Sequence, residues 1–344
     1  MSSSPSLIGI YTRPDDDHRQ RVVDELEKRC LPFVCFDSSD FPQVLRLAAH
    51  YQTGLSGWQG DLLYQGQRYR LEDFRSIWYR RPSRRYTFVS GLSDEGYEFA
   101  KAEAQRGFEG ILRSLPCFWV SDPDAIRAAE WKPKQLAYAR HVGLRVPRTL
   151  ITNDPQAALR FFEECQGEIA YKPLSQGIPR PTLGGIWRGA VYTTKMTRSA
   201  FQEHLSSVSI TATCFQEYVP KAFELRVNVI GSQVFAAEIH SQHSEHARID
   251  FRLGYADLRY SIHTLPAVIA EACQELVRLF RLQFSAIDLL VTPDGQYVFV
   301  DLNSNGQWGW IENQTGLPLT EALVSLLERG QAEERAQGEA EGEH

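Results

Sequence analysis

The stretch Tyr297–Trp308, YVFVDLNSNGQW, begins as a buried strand with Val298, Val300 and Leu302 in strict alternation, yet its other face carries Asp301 and Asn303, and a Ser-Asn-Gly turn follows. The segment before it, FSAIDLLVTPDG from Phe284, is a second β-like run. Asp294-Gly295, the strongest short-range hairpin signal, joins the two. A two-residue turn at that dipeptide predicts Val291 against Val298, Leu289 against Val300 and Asp288 against Asp301. Asp288, Asp301 and Asn303 then share one face, while Ile287, Leu289, Val291, Val298, Val300 and Leu302 share the other. Directly opposed side chains lie about 5 Å apart, so two carboxylates there repel unless positive charge sits between them. Two carboxylates and an amide oxygen are hard ligands suited to Mg²⁺ on nucleotide phosphates. The competing reading is two solvated acids on an open sheet face. A three-residue turn would shift the register by one and dissolve the pairing.

At 344 residues the chain has room for two or three domains, and 43% hydrophobic with 23% charged residues is an ordinary globular composition. A net charge of -6 argues against a general nucleic-acid binder, and no apolar run approaches the length of a membrane span. Lysine is scarce: Lys28, Lys101, Lys132, Lys134, Lys172, Lys195 and Lys221 stand against thirty arginines. The six cysteines form no CxxC pair and there is no signal peptide, which together point to a reducing cytoplasm.

Residues 6–37 read strand, helix, strand, the opening of an α/β domain that the helix Asp94–Leu115 closes. Ser121 or Asp122 can cap a following helix that Gly143 ends. A strand, a helix and the strand EIAYKP come next, then the Gly-rich stretch 176–194, which has the composition of a loop that covers phosphates. The hairpin ELRVNVIGSQVFAAEIH is predicted to turn at Gly231-Ser232. The expected division is an N-terminal α/β domain at 1–120, a small central α/β unit at 121–207, a C-terminal antiparallel-sheet unit at 208–330 and an acidic disordered tail at 331–344.

The order of the pieces carries a resemblance. WYRRP (78–82), the helix from Trp131 to Asn153, YKPLSQG (171–177), FQEYVPKAFELRVNVIG (215–231), AEIHSQ (237–242), IDFR (249–252) and VDLNSNGQWGWIE (300–312) together resemble the ATP-grasp ligases. Within them the closest likeness is to the graspetide (microviridin-type) synthetases, which cross-link ribosomal peptides. Asp301 stands where that family usually places Glu.

The resemblance implies a pre-ATP-grasp domain ahead of an ATP-grasp body, an α/β (α+β) architecture, with ATP and Mg²⁺ as cofactors. It assigns the metal to Asp288, Asp301 and Asn303, the phosphates to Lys172 and Lys132 with Lys134 as rival, and adenine to the backbone of Glu217, Tyr218 and Val219. Glu224 would take the ribose, with Asn303 also on the nucleotide. Arg252 would stabilise the moving phosphoryl group as an arginine finger does, and Lys172 and Arg226, the latter on the face of Glu224, complete the catalytic set. The implied partner is a precursor peptide with a leader and an acidic, Thr-rich core, met by Arg80, Arg81 and His240. A homodimer remains open.

Read from the residues alone, the competing reading of Arg252 is a loop arginine paired with Asp250 or Glu245. The run His240, His243, His246 matches no common zinc spacing. Arg75, Arg80, Arg81, Arg84 and Arg85, interleaved with Trp78 and Tyr79, suit an anionic partner, here an acidic peptide. The expected activity is phosphorylation of Asp or Glu side chains, followed by capture with Thr or Ser hydroxyls or Lys amines to give ω-esters or ω-amides. The alternatives are a ligase of the same mechanism acting on an amino acid or protein tail, and a non-catalytic nucleotide-binding module.

Overall fold

The computed structural model describes residues 6–54, 57–175, 192–254 and 258–330. Leu7–Tyr11 is buried at all five positions because it is an inner strand of a parallel sheet ordered Phe33–Phe36, Leu7–Tyr11, Phe74–Tyr79, Phe118–Val120. Beside it lies an antiparallel sheet that the sequence reading missed, Leu45–His50, Gln59–Tyr64 and Gln67–Arg70. Its second turn, Gln65-Gly66, holds both residues at positive φ without the Asn or Asp that usually announces such a hairpin.

Two expectations change along the middle of the chain. The helix foreseen between Asp122 and Gly143 is two helices, Pro123–Ala129, capped by the Asp122 carboxylate, and Lys132–His141. Pro133 explains the break, since it tolerates only the first turn of a helix and disfavours helical conformation before it. The break leaves Lys132 at a helix start. The central sheet is antiparallel and ordered Thr194–Met196, Ile169–Tyr171, Thr213–Glu217, Thr149–Thr152. Thr213–Glu217 lies inside it, so the central unit runs past the boundary expected at 207. Of the Gly-rich stretch 176–194, residues 176–191 lie outside the described residues, as does the tail 331–344.

The third layer is a five-stranded antiparallel sheet, Tyr260–His263, Gln233–Ile239, Phe223–Ile230, Phe284–Val291, Tyr297–Asn303. Ile230 pairs with Gln233, which confirms the two-residue turn at Gly231-Ser232. One face packs Leu225, Val227, Ile287, Leu289, Phe299 and Leu302 against the helix Ala267–Leu279. Another core joins the ends of the chain: Ile8, Ile10, Val22 and Trp78 pack with Phe284, Trp308, Leu323 and Leu327. The N-terminal sheet and the C-terminal one are therefore separate sheets that share this core.

The final hairpin corrects its own prediction. Its turn has three residues, Pro293, Asp294 and Gly295, closed by the Thr292 N–H donating to the Gln296 carbonyl at 3.0 Å, with Gly295 at φ 79°. Val291 accordingly pairs with Tyr297, Leu290 with Val298 and Leu289 with Phe299, one residue off the predicted register. A bulge at Val300 then takes up the extra residue, and Asp288 faces Asp301 after all. The price of two register shifts is that Phe299 replaces Val300 in the core, and Val300 turns toward the cleft beside Lys132 and Lys172.

Candidate active site

Across three neighbouring strands Arg226, Asp288 and Asp301 stand directly opposed in one row. The Arg226 guanidinium donates to Asp288 Oδ1 at 2.7 Å and Lys132 Nζ to Asp301 Oδ1 at 2.6 Å, so each of the facing carboxylates has its own cation. Asn303 Nδ2 donates to Asp288 Oδ2 at 3.3 Å, which completes the expected cluster. Burial pushes the Asp288 carboxyl up, with Arg226 offsetting only part of it and Asp301 adding to it. Burial acts on Asp301 too, but Lys132 and Lys172 outweigh it and hold its carboxyl low. Two crowded carboxylates with an amide oxygen fit a divalent hard cation. Among the described residues no group of three or more His, Cys, Asp or Glu is arranged to hold a metal ion.

Lys172 follows the strand Ile169–Tyr171, and its amide extends the ladder to Cys214. Its ammonium donates to the carbonyl of Val300, the bulged residue. Burial lowers its pKa, and the nearby Asp301 carboxylate counters that. Lys132 and Lys172 thus line one cleft with Gln135, Cys214, Gln216 and Val300. Lys134 lies outside this cleft, its ammonium over the Tyr138 and Phe280 rings, 5.1 and 5.5 Å from their centroids.

Gln135 is a residue the sequence reading missed. Buried at 3% exposure, its amide donates to the Leu302 carbonyl at 2.8 Å and accepts the Leu302 N–H at 3.1 Å, pinning the Lys132 helix to the strand that carries Asp301. Its signal was a polar residue one helical turn past Lys132, on the helix's inner side. Lys221 was also missed: it donates to Glu224 Oε1 at 2.6 Å, and Ser241 Oγ donates to the same oxygen at 2.8 Å. Burial pushes the Glu224 carboxyl up against these two contacts.

In the linker after the central sheet, the N–H groups of Glu217 and Tyr218 donate to the carbonyls of Arg148 and Glu168, both at 2.9 Å. They are therefore occupied, while the N–H of Val219 has no partner among the described residues. Arg252 is exposed and paired with Asp250, Nε to Oδ1 at 2.8 Å, with a second bond from Nη2 to Oδ2. That hydrogen bonding raises its pKa against burial, and the Asp250, Asp288 and Asp301 carboxylates add to it.

Two expected substrate residues sit elsewhere. His240 lies on the opposite face of the sheet, its Nε2 3.0 Å from Ser261 Oγ and 3.2 Å from Glu238 Oε2, because it has the strand parity of Glu238 and not of Ile239. Arg80 is 1% exposed, its Nη1 donating to the carbonyls of Asn305 and Gly306, so it offers a peptide no surface. Arg75 similarly donates to the Glu328 carbonyl at 2.7 Å. Arg81 is half-buried, and Arg84 and Arg85 are exposed. His243 and His246 are exposed.

Gly306 closes the turn over this row. A Cβ there would meet Ala286 Cβ at 2.3 Å and Arg226 Nη2 at 3.0 Å. Gly306→Ala is expected to cost about 1–3 kcal/mol through overpacking, measured as a lower Tm with reduced nucleotide binding; an unchanged Tm would show that the turn can yield.

Residues 8–127 match the MvdD pre-ATP grasp domain family. Among solved structures, the macrocyclase MdnC bound with precursor peptide MdnA from Microcystis aeruginosa MRC is 29% identical, over 93% of this chain and 99% of that one, with a TM-score of 0.77. The Chryseobacterium gregarium RiPP-associated ATP-grasp ligase, in complex with ADP and a leader and core peptide, is 26% identical over 94% of this chain and 96% of that one, with a TM-score of 0.83. The ATP-grasp ligase PsnB, complexed with minimal precursor, Mg and ADP, is 25% identical over 95% and 99% of the two chains, with a TM-score of 0.70. No curated protein matches the chain. No helix among the described residues is long and apolar enough to cross a membrane.

Proposed function

We infer that this chain, an ATP-grasp ligase with an MvdD-type pre-ATP-grasp domain, uses ATP and Mg²⁺ to join side chains of a ribosomally made precursor peptide. The observation that carries the reading is the row Arg226–Asp288–Asp301, flanked by Lys132 and Lys172.

Asp288, Asp301 and Asn303 would hold Mg²⁺, which would supply neutralisation of phosphate charge. Lys132 and Lys172 exchange their present acceptors, the Asp301 carboxylate and the Val300 carbonyl, for phosphate oxygens. The Val219 N–H meets adenine, and Glu224, kept in place by Lys221, accepts from the ribose hydroxyls. A peptide carboxylate oxygen attacks the terminal phosphorus, giving an acyl phosphate and ADP. Arg252 stabilises the charge on the phosphoryl oxygens in transit, and Arg226 holds Asp288. A hydroxyl or amine of the same peptide then attacks the acyl carbon and displaces phosphate, so each ring removes one water.

The substrate is an acidic, Thr-rich core with a leader. Arg81, half-buried, and the exposed Arg84 and Arg85 would meet it, while Arg80 serves the fold. The six cysteines, all unpaired, suit a cytoplasmic setting.

Incubation with ATP, Mg²⁺ and acidic precursor peptides is expected to shift the peptide mass by whole multiples of one lost water. A gain of one amino-acid residue would place the chain among ligases of small amino acids, and nucleotide binding without ADP release among non-catalytic modules. Arg81→Ala is expected to raise KM for the peptide by up to about fivefold, the size of a partly exposed ion pair, with the difference closing at high salt; a KM unchanged at low salt would return Arg81 to a structural role.

A further inference from the structure

In an open parallel sheet the ligand crevice lies at the carboxyl ends of the strands, where the strand order reverses. Here that point falls between Leu7–Tyr11 and Phe74–Tyr79, and the chain segment 305–309 docks against it. Arg80 Nη1 donates to the carbonyls of Asn305 at 2.5 Å and Gly306 at 2.9 Å, and Arg81 Nη2 to that of Asn305 at 2.9 Å. From the other side Arg226 Nη2 donates to the Gln307 carbonyl at 3.1 Å.

His18 holds the remaining end of this turn. Its Nε2 accepts the N–H groups of Trp308 and Gly309, each at 3.0 Å. These belong to the start of the helix Gly309–Thr315, where Trp308 provides no side-chain cap, so the imidazole does the capping from a distant part of the chain. Two donors on Nε2 leave the proton of the neutral ring on Nδ1, which has Asp16 Oδ1 at 3.6 Å and Arg80 Nη2 at 3.3 Å; Asp16 Oδ1 also accepts the His18 backbone N–H at 3.0 Å, which fixes the carboxylate beside the ring. Burial pushes the His18 pKa down, which favours the neutral, accepting form. The other Asp16 oxygen faces Arg80 Nε at 3.6 Å, and all three residues are buried.

The clamped turn is continuous with the metal ligands. The Gly306 N–H donates to the Asn303 carbonyl at 3.1 Å, and the Asn303 side chain to Asp288. We propose that His18, oriented by Asp16, together with Arg80, are positioning residues for the metal site, so that the N-terminal domain sets where Asn303 and Asp288 stand. This rests on the reading of Asp288, Asp301 and Asn303 as metal ligands. A polar cluster serving packing alone would change stability and leave metal dependence untouched.

The test is calorimetric titration of the full-length protein with ADP, once with saturating Mg²⁺ and once in EDTA. Wild type binds ADP more tightly with Mg²⁺; equal affinities would overturn the metal reading itself before any variant is compared. His18→Asn places its amide near the Nδ1 position and cannot reach Trp308 and Gly309. It is expected to weaken ADP binding about tenfold in Mg²⁺, the cost typical of losing an outer support of a metal site, and to leave binding in EDTA unchanged. His18→Gln, whose amide oxygen reaches the Nε2 position, restores the metal-dependent affinity. Should His18→Asn not fold by circular dichroism, Arg80→Lys carries the test, since it keeps the buried charge but not the two-carbonyl grip, and the same loss is expected. Equal losses with and without Mg²⁺, wild-type behaviour of the variant, or a His18→Gln no better than His18→Asn would each overturn the proposal.

Discussion

Replacing Arg252 with alanine is expected to lower kcat by about 10³-fold or more, the contribution of an arginine that meets the transferring phosphoryl group, while the Kd for ATP stays close to wild type. The geometry supports that split. Arg252 is exposed, bonded to Asp250 on one edge, and electrostatically coupled to Asp288 and Asp301. Its position is held by Asp250, and in the proposed function it contributes most when charge moves. The buried Asp250 carboxylate keeps two backbone donors, the N–H groups of Arg252 and Thr193, so the loop retains part of its support in the variant. Single-turnover ADP formation, measured with nucleotide binding, checks both halves. A weakened Kd with an unchanged rate would take Arg252 out of the transition state.

Asp301→Asn is expected to reduce turnover by about 10²-fold or more, since loss even of a metal ligand's outer partner costs 10–100-fold. The fold should survive, because the amide oxygen of Asn can still accept from Lys132; the pair is largely buried, its side chains 16% and 17% exposed, so loss of its charge costs about 1–3 kcal/mol. A change of that size lowers Tm by a few degrees, at about 2 °C per kcal/mol for a chain longer than 250 residues. Wild-type turnover would remove Asp301 from the metal set. A collapse of Tm would instead mark the Lys132–Asp301 pair as a structural element, with catalysis lost only as a consequence.

Much of the site was legible because it uses residues whose chemistry is unusual for their setting. A carboxylate in each of two otherwise apolar strands, and a lysine before a proline in a chain poor in lysine, announce themselves. Gln135, His18 and Lys221 do not. Each acts through backbone or side-chain partners distant in sequence or across a loop, and a polar residue bonding Leu302 looks, in one dimension, like any solvated side chain. Arg80 and His240 show the opposite error. Both carry chemistry that suits a peptide, yet Arg80 is enclosed by its own fold and His240 falls on the far face of the sheet.

By itself the sequence determined the kind of most elements and which residues could form the carboxylate cluster, since alternation, turn residues and the types of charged side chain are local properties. Only the tertiary structure decided how they meet. The three-residue turn at 293–295 and the bulge at Val300 shift the register in opposite senses and cancel at Asp288 and Asp301, an outcome that no single turn preference contains. The physical reason is that register is settled by burial along the whole strand pair: placing Phe299 in the core and both carboxylates in the cleft outweighs one irregular residue, whose freed carbonyl Lys172 then takes up.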